Sequence, residues 1–260
     1  AEYLRGIMDA VNDPSVRQVV VMSSAQVGKT ELILNILGYH IAHDPAPILC
    51  IQPTLQMSQA FSKDRLAPML RDTPCLKGKV KDPRSRDSGN TTLHKVFPNG
   101  HVTIAGANSA AGLASRPVRI VLCDEVDRYP PSAGSEGDPV KLAVRRSQTF
   151  WNSKVITVST PTVKGLSRIE TEYLQSDQRQ FFVPCKDCGE NQTLKWSNVR
   201  WEKDDPSSVH YVCDVCGSIW NDSDRYKAIK LGYWEAQNGK KSIAGFHLSG
   251  LYSPWITLED

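Results

Sequence analysis

The passage that most constrains the fold of this chain is QVVVMSSAQVGKTELILNIL, residues 18–37. Residues 16–22 form a β-branched run bounded by polar residues, the pattern of a buried strand. From residue 30 onward Leu32, Ile33, Ile36, Leu37 and Ile41 recur at helical spacing. Between them stands SSAQVGKT (23–30), which ends in Gly28-Lys29-Thr30. A strand passing through a short loop straight into a helix aims backbone N–H groups and the positive helix end at one point, and that suits a phosphate. Ser24, Ala25, Gln26, Val27, Gly28, Lys29 and Thr30 are therefore the expected ATP-binding loop. Lys29 would reach the β- and γ-phosphates and Thr30 would ligate Mg²⁺. Gly28 permits close backbone approach. Ser23 stands where such a loop normally begins with glycine.

The remaining pattern alternates strands and helices. Helical spacing covers residues 4–11, 54–71 (with Thr54 as N-cap), 139–150 and 166–175. Strand-like runs cover 47–52, 119–123 and 154–159. Residues 91–97 and 101–105 flank Pro98-Asn99-Gly100, a hairpin signal. Residues 77–90 are polar and rich in turn formers, and read as a surface loop. This order predicts an α/β fold of the P-loop NTPase type with a mainly parallel sheet flanked by helices. In such sheets ligands sit at the carboxyl ends of strands, so each functional motif should follow a strand directly.

Two further motifs meet that demand. RIVLCDE (119–125) is an apolar strand ending in Asp124 and Glu125. A nucleotide hydrolase needs one carboxylate for Mg²⁺ and another to position and deprotonate the attacking water, roles that fit Asp124 and Glu125. A strand leaving the core on acidic residues is the plainer reading of the same letters. VITVSTPT (155–162) ends a strand on Ser159 and Thr160, either ordinary turn chemistry or hydroxyls that sense the γ-phosphate. Arg116 precedes the Asp124 strand and reads as a solvated loop arginine or a catalytic one serving a neighbouring subunit. Arg145 and Arg146 are further basic candidates.

Cys185-Lys186-Asp187-Cys188-Gly189 and Cys213-Asp214-Val215-Cys216-Gly217 are two CxxC knuckles with 24 residues between them. Four thiolates on tight turns suit a structural, tetrahedral Zn²⁺. A redox CxxC would more naturally be single and open a helix. Lys186, Lys195, Trp196, Arg200 and Trp201 either present bases with aromatics to a partner or pack the ribbon. Two sections follow from this: residues 1–178 as the ATPase domain, and 179–260 as a small C-terminal zinc-ribbon and linker subdomain.

Composition sets the outer limits. The chain has 260 residues, 40% hydrophobic and 23% charged, a globular profile. Its net charge of +3 neither demands nor excludes nucleic acid. No apolar run approaches the roughly 18–20 residues of a membrane span, and no leader precedes a small-residue cleavage site. The seven cysteines fit a reducing compartment with a metal site better than a disulfide framework. Ala1-Glu2-Tyr3 opens directly into a helical pattern and Leu258-Glu259-Asp260 carries no terminal motif, so a portion of a longer protein is expected.

The passages SSAQVGKTE, HDPAPILCIQPT, FSKDRLAPML, ANSAAGLASRPVRIVLCDEVDRYP, VSTPT, FVPCKDCG, YVCDVCG and GFHLSGLYSPW together resemble the large subunit of tailed-phage terminases, in its lambda-type branch. The resemblance implies an ATPase that drives double-stranded DNA into a procapsid, acting with a portal protein and a small terminase subunit. It also implies a homo-oligomer when assembled, work in the host bacterial cytoplasm, and ATP, Mg²⁺ and Zn²⁺ as cofactors. By position Gly28, Lys29 and Thr30 match the phosphate loop, Asp124 and Glu125 the two acids, and Ser159 and Thr160 the motif coupling hydrolysis to movement. Arg116 is similar to a pre-strand arginine offered in related motors as a finger between subunits. Ser23 is a variation this motor class tolerates. Ala25 and Gln26 stand where many terminases carry a loop arginine. The family's nuclease would follow the cysteine segment, so nuclease activity is not expected here. The alternatives are a helicase-like DNA-dependent ATPase, or a zinc-ribbon binding module on an inactive ATPase-like scaffold.

Overall fold

The computed structural model of the chain describes residues 1–81, 89–114, 116–239 and 242–259. Residues 82–88 of the expected surface loop, Ser115 and Asp260 lie outside the described residues. Helix α1 (Tyr3–Asn12) leads into β1 (Gln18–Ser23), and the SSAQVGKT loop opens α2 (Lys29–Ala42). Strand β2 (Pro47–Gln52) follows. The helix expected over 54–71 forms in three pieces: α3 (Leu55–Phe61), a π-helical turn (Ser62–Leu66) and α4 (Ala67–Asp72). Thr54 caps it, accepting from the Met57 N–H at 3.2 Å. Pro68 has no N–H to return to the preceding turn, and the helix widens there.

Strands β3 (His94–Phe97) and β4 (Gly100–Gly106) are the expected hairpin, with Asn99 at φ 62°. A Cβ on Gly100 would lie 2.4 Å from the Phe97 ring and 2.7 Å from the Ala46 carbonyl, so only glycine fits that turn. Next come α5 (Ala110–Ala114), β5 (Ile120–Asp124), α6 (Pro139–Arg145), β6 (Lys154–Ser159) and α7 (Arg168–Leu174). Helix α6 is shorter than the predicted 139–150: the Ser147 hydroxyl takes the Val144 carbonyl at 2.8 Å and the chain turns away.

The final third supplies β7 (Arg179–Pro184), β8 (Asn191–Gln192), β9 (Val199–Glu202), β10 (Asp205–Val212) and β11 (Ile219–Trp220). It closes with α8 (Asp222–Lys230), β12 (Tyr233–Ala236) and β13 (Ile243–Leu248). Ten strands make one sheet in the order β12-β7-β13-β1-β6-β5-β2-β4-β3, with β8 beside β7. All pairs from β7 across to β4 are parallel, and β12, β8 and β3 are antiparallel additions. Alternate residues feed opposite cores. Val19 and Val21 pack with Ile7, Ile33 and Leu37 beneath α1 and α2. Val20 packs with Val121, Leu142 and Ile169 on the other face. Both faces are thus covered, as a parallel sheet requires.

The sheet runs across the boundary expected at residue 178. Strand β13 lies directly beside β1, with Val21 opposite Phe246, and β7 adjoins β13. What stands apart is the cysteine-bearing insertion between β7 and β12, with its own three-stranded sheet β11-β10-β9. Its core is continuous with Tyr3 of α1 and with Leu248, Leu251 and Tyr252 after β13. The C-terminal third therefore contributes strands to the main sheet as well as the insertion. Among the described residues no helix is long and apolar enough to cross a membrane.

Candidate nucleotide site and four-cysteine centre

Three adjacent strands, β1, β6 and β5, end at the same edge of the sheet. Their register sets Met22 opposite Ser159 and Asp124 opposite Val158. The three motifs picked out in the sequence therefore meet. After β1 the chain takes left-handed backbone at Gln26 (φ 57°) and Gly28 (φ 89°), and α2 starts at Lys29. Ser23, the last residue of β1, is buried and its φ is not positive, so the position does not need glycine. The loop is tied down from both ends of the chain. Tyr3 Oη donates to the Val27 carbonyl at 3.0 Å, and Ser253 Oγ to the Gln26 carbonyl at 2.6 Å. The first-turn N–H groups of α2 have no partner within the helix and carry its positive end.

Lys29 Nζ is the hub. It donates to the Ser24 carbonyl at 3.1 Å and to Thr160 Oγ1, and lies 3.4 Å from Glu125 Oε1. Glu125 adopts left-handed backbone (φ 53°), which turns its carboxylate toward Lys29. Non-glycine residues hold this conformation at a cost that functional sites often carry. Arg128 Nε stands 3.6 Å from Glu125 Oε2, and that buried oxygen has no hydrogen-bond partner among the described residues. Ser159 is fully buried; its hydroxyl accepts from the Asp127 N–H at 3.3 Å and donates to the Thr160 carbonyl at 3.0 Å. Ser159 and Thr160 thus touch both Lys29 and the segment following Glu125.

Asp124 is 9% exposed, and burial pushes its carboxyl up to about 6. Glu125 beside it adds to the rise, while the Gln52 amide, donating to Oδ2 at 3.0 Å, and Lys29 oppose it. A buried carboxylate with a raised pKa beside Glu125, whose Oε2 has no hydrogen-bond partner among the described residues, fits a divalent cation.

Gln26, Gly28, Lys29, Thr30 and Glu125 line an open cavity of about 560 Å³, and so do Arg65 and Trp255. Neither of the last two stands out as a site residue in the sequence. Arg65 arrives on the π-helical turn after α3, and Trp255 on the segment after β13. The only sequence signal for Trp255 is its place in GFHLSGLYSPW. Arg116 is not brought to this cavity. It is exposed at the β3–β4 edge, with its Nη1 3.4 Å from His94 Nε2, and β6, β5 and β2 stand between β4 and β1. Arg145 ends α6, and the Arg146 carbonyl accepts from Val118 N–H near the start of β5, away from the carboxyl edge.

The four insertion cysteines converge. The sulfurs of Cys185, Cys188, Cys213 and Cys216 all lie within 4.8 Å of one another. Cys185–Cys216 is 3.7 Å and Cys188–Cys213 is 4.0 Å. Tetrahedral Zn–S bonds of about 2.3 Å give sulfur separations of roughly 3.8 Å, so the donor set fits zinc. The knuckles are alike: Gly189 and Gly217 both turn at φ 74°. The Asp187 and Val215 N–H groups point at Cys185 and Cys213 sulfur at 3.5 and 3.4 Å. Gln192 Nε2 adds a second N–H donor to Cys213 at 3.2 Å.

A mainly parallel sheet with a lysine–threonine loop, paired acids and strand-end hydroxyls gathered at its carboxyl edge defines an α/β protein of the ATPase kind. Residues 1–234 match the family described as phage terminase large subunit gpA, ATPase domain, and the chain belongs to that family. It is 30% identical to the terminase large subunit of Enterobacteria phage P21, over 97% of this chain and 43% of that protein. It is 29% identical to the terminase large subunit of Escherichia phage lambda, over 98% of this chain and 44% of that protein. The chain thus spans less than half the length of these relatives. Among solved structures, the large terminase ATPase domain of Thermus phage P74-26 superposes with a TM-score of 0.51 at 14% identity, covering 93% of this chain and 79% of that one. The HK97 bacteriophage large terminase gives 0.54 at 16% identity, covering 67% and 36%. At such identities the likeness is one of fold.

Proposed function

We propose that this chain is the ATP-hydrolysing motor portion of a terminase large subunit, with SSAQVGKT as its P-loop, and that it drives double-stranded DNA into a procapsid. The observation that carries the reading is that Lys29, which lines a strand-end cavity with Thr30 and Glu125, contacts both Glu125 and Thr160, with Asp124 buried next to Glu125 at the end of β5. Loop residues 24–30 and the α2 N-terminus hold the phosphates. Thr30 and Asp124 would hold Mg²⁺, which would supply positive charge to neutralise the phosphates. Lys29 leaves Glu125 for the phosphates, which frees the Glu125 carboxylate to orient a water and take its proton. The water oxygen then bonds to the γ-phosphorus as the bond to the ADP oxygen breaks. Ser159 and Thr160 report loss of the γ-phosphate, because one neighbours Asp127 and the other bonds Lys29.

Arg116, exposed at the far sheet edge, serves the site of the next subunit in a homo-oligomer. The insertion holds structural Zn²⁺ through its four cysteines. A portal protein and a small terminase subunit complete the machine in the host bacterial cytoplasm. The test is phosphate release from Mg–ATP with Glu125→Gln, which should keep ATP binding and lose turnover by about 10²–10⁴-fold. Unchanged turnover overturns the reading.

A further inference from the structure

The segment after β13 closes back over the phosphate loop. Ser253 Oγ donates to the Gln26 carbonyl at 2.6 Å and accepts from the Trp255 N–H at 3.2 Å. The six-membered ring of Trp255 stands beside Gly28: a Cβ there would lie 3.5 Å from its Cη2 and 3.7 Å from its Cζ3. The indole is 57% exposed and forms part of the wall that also carries Lys29, Thr30 and Glu125. Among the described residues lining this cavity it is the aromatic one; most of the rest of the wall is polar or charged.

The mount of this ring is buried and charged. Arg225 of α8 is 1% exposed. Its guanidinium donates to the carbonyls of Leu251 at 2.6 Å, Ser253 at 3.4 Å and Ile256 at 2.5 Å, and pairs with Asp222 at 2.6 Å. Tyr226 Oη reaches the same Ile256 carbonyl at 3.2 Å. A buried arginine spread over three carbonyls of one short segment fixes that segment's path. An exposed ring on a fixed backbone is pre-organised to receive a flat partner.

We propose that Trp255 is the stacking face for the base of the bound nucleotide. The inference rests on the nucleotide-site reading and adds a residue to it. A nucleoside triphosphate offers one flat, weakly polar group, and the cavity offers one flat, weakly polar wall beside the loop that grips the phosphates. The base stacks on the indole while the phosphates run past Gly28 to Lys29. The ring contact contributes to binding of the whole nucleotide and nothing to binding of its phosphates alone.

Calorimetry on the 260-residue chain with Mg²⁺ separates these contributions, using ATP and inorganic tripolyphosphate as two probes. Trp255→Ala should weaken ATP about tenfold and leave tripolyphosphate unchanged. Trp255→Phe should recover most of the loss. Equal weakening of both probes by Trp255→Ala shows a merely structural ring and overturns the inference, as does ATP affinity equal to wild type. A wild-type chain that binds neither probe overturns the nucleotide-site reading itself, and this inference with it.

Discussion

Lys29 Nζ and Glu125 Oε1 stand 3.4 Å apart across the carboxyl edge of the sheet, joining the end of the β1 loop to the end of β5. Both side chains are largely covered, 11% and 20% exposed, so the pair is poorly screened. In this arrangement the two groups to which the proposed chemistry assigns roles neutralise each other. Lys29→Ala leaves Glu125 with Arg128 at 3.6 Å and removes the cation from the proposed phosphate site. ATP affinity should fall about ten- to a hundredfold, the worth of one charged hydrogen bond, as read by equilibrium binding.

Asp124 predicts a pH effect on stability. Its carboxyl is raised from 3.8 to about 6 by burial, so the fold favours the protonated form. That contribution is complete below about pH 4 and disappears as pH rises through about 6. Asp124→Asn cannot ionise. Relative to wild type without nucleotide, this variant should gain stability between about pH 4 and pH 6, on the order of 3 kcal/mol in all, and no more above that. Denaturant melts of both proteins at pH 4, 5, 6 and 8 check the sign; a gap that closes toward high pH contradicts it.

Arg116 predicts behaviour of mixtures. On the proposed role of Arg116 as a finger for the next subunit, a chain with Arg116→Ala and a chain with Glu125→Gln should each be inactive alone. Mixed, they should restore part of the turnover, because some interfaces pair an intact arginine with an intact glutamate. Turnover of wild type should also rise more steeply than its concentration. Linear dependence with no recovery on mixing places the arginine elsewhere.

The four-cysteine centre predicts metal content and local folding. The purified chain should carry about one zinc. Cys188→Ser or a strong chelator should release it and loosen β9–β11, whose small sheet has little core beyond Tyr211, Trp220, Val199 and Leu194. Hydrogen exchange should rise across residues 185–220 while β1, β5 and β6 stay protected. Uniform loss of protection means the insertion holds the main sheet together.

Arg225 predicts a large cost away from any chemistry. Arg225→Met leaves Asp222 and the carbonyls of Leu251, Ser253 and Ile256 without their buried donor. Stability should drop by about 3 kcal/mol or more, measured by urea unfolding. A loss under about 1 kcal/mol indicates that water replaces the guanidinium.

The sequence by itself determined the pieces of the site. The β1–loop–α2 unit, the acids after β5, the hydroxyls after β6 and the four cysteines were legible because each is a local pattern, read from periodicity or spacing within about a dozen residues. The strand order that brings β1, β6 and β5 side by side was not written in any one passage, although the alternation of elements required some such parallel sheet. Strand β13 went unread because IAGFHL is short, contains a glycine and shows its character only by pairing with β1, more than two hundred residues earlier. Arg225 looks like one more surface charge on a polar helix, and only its contacts show it to be buried. The tertiary structure alone decided that Ser253 would hold the Gln26 carbonyl, 227 residues away, and set Trp255 against Gly28. Local chemistry repeats within a turn or a strand, but contacts across such separations exist only after the whole sheet has closed.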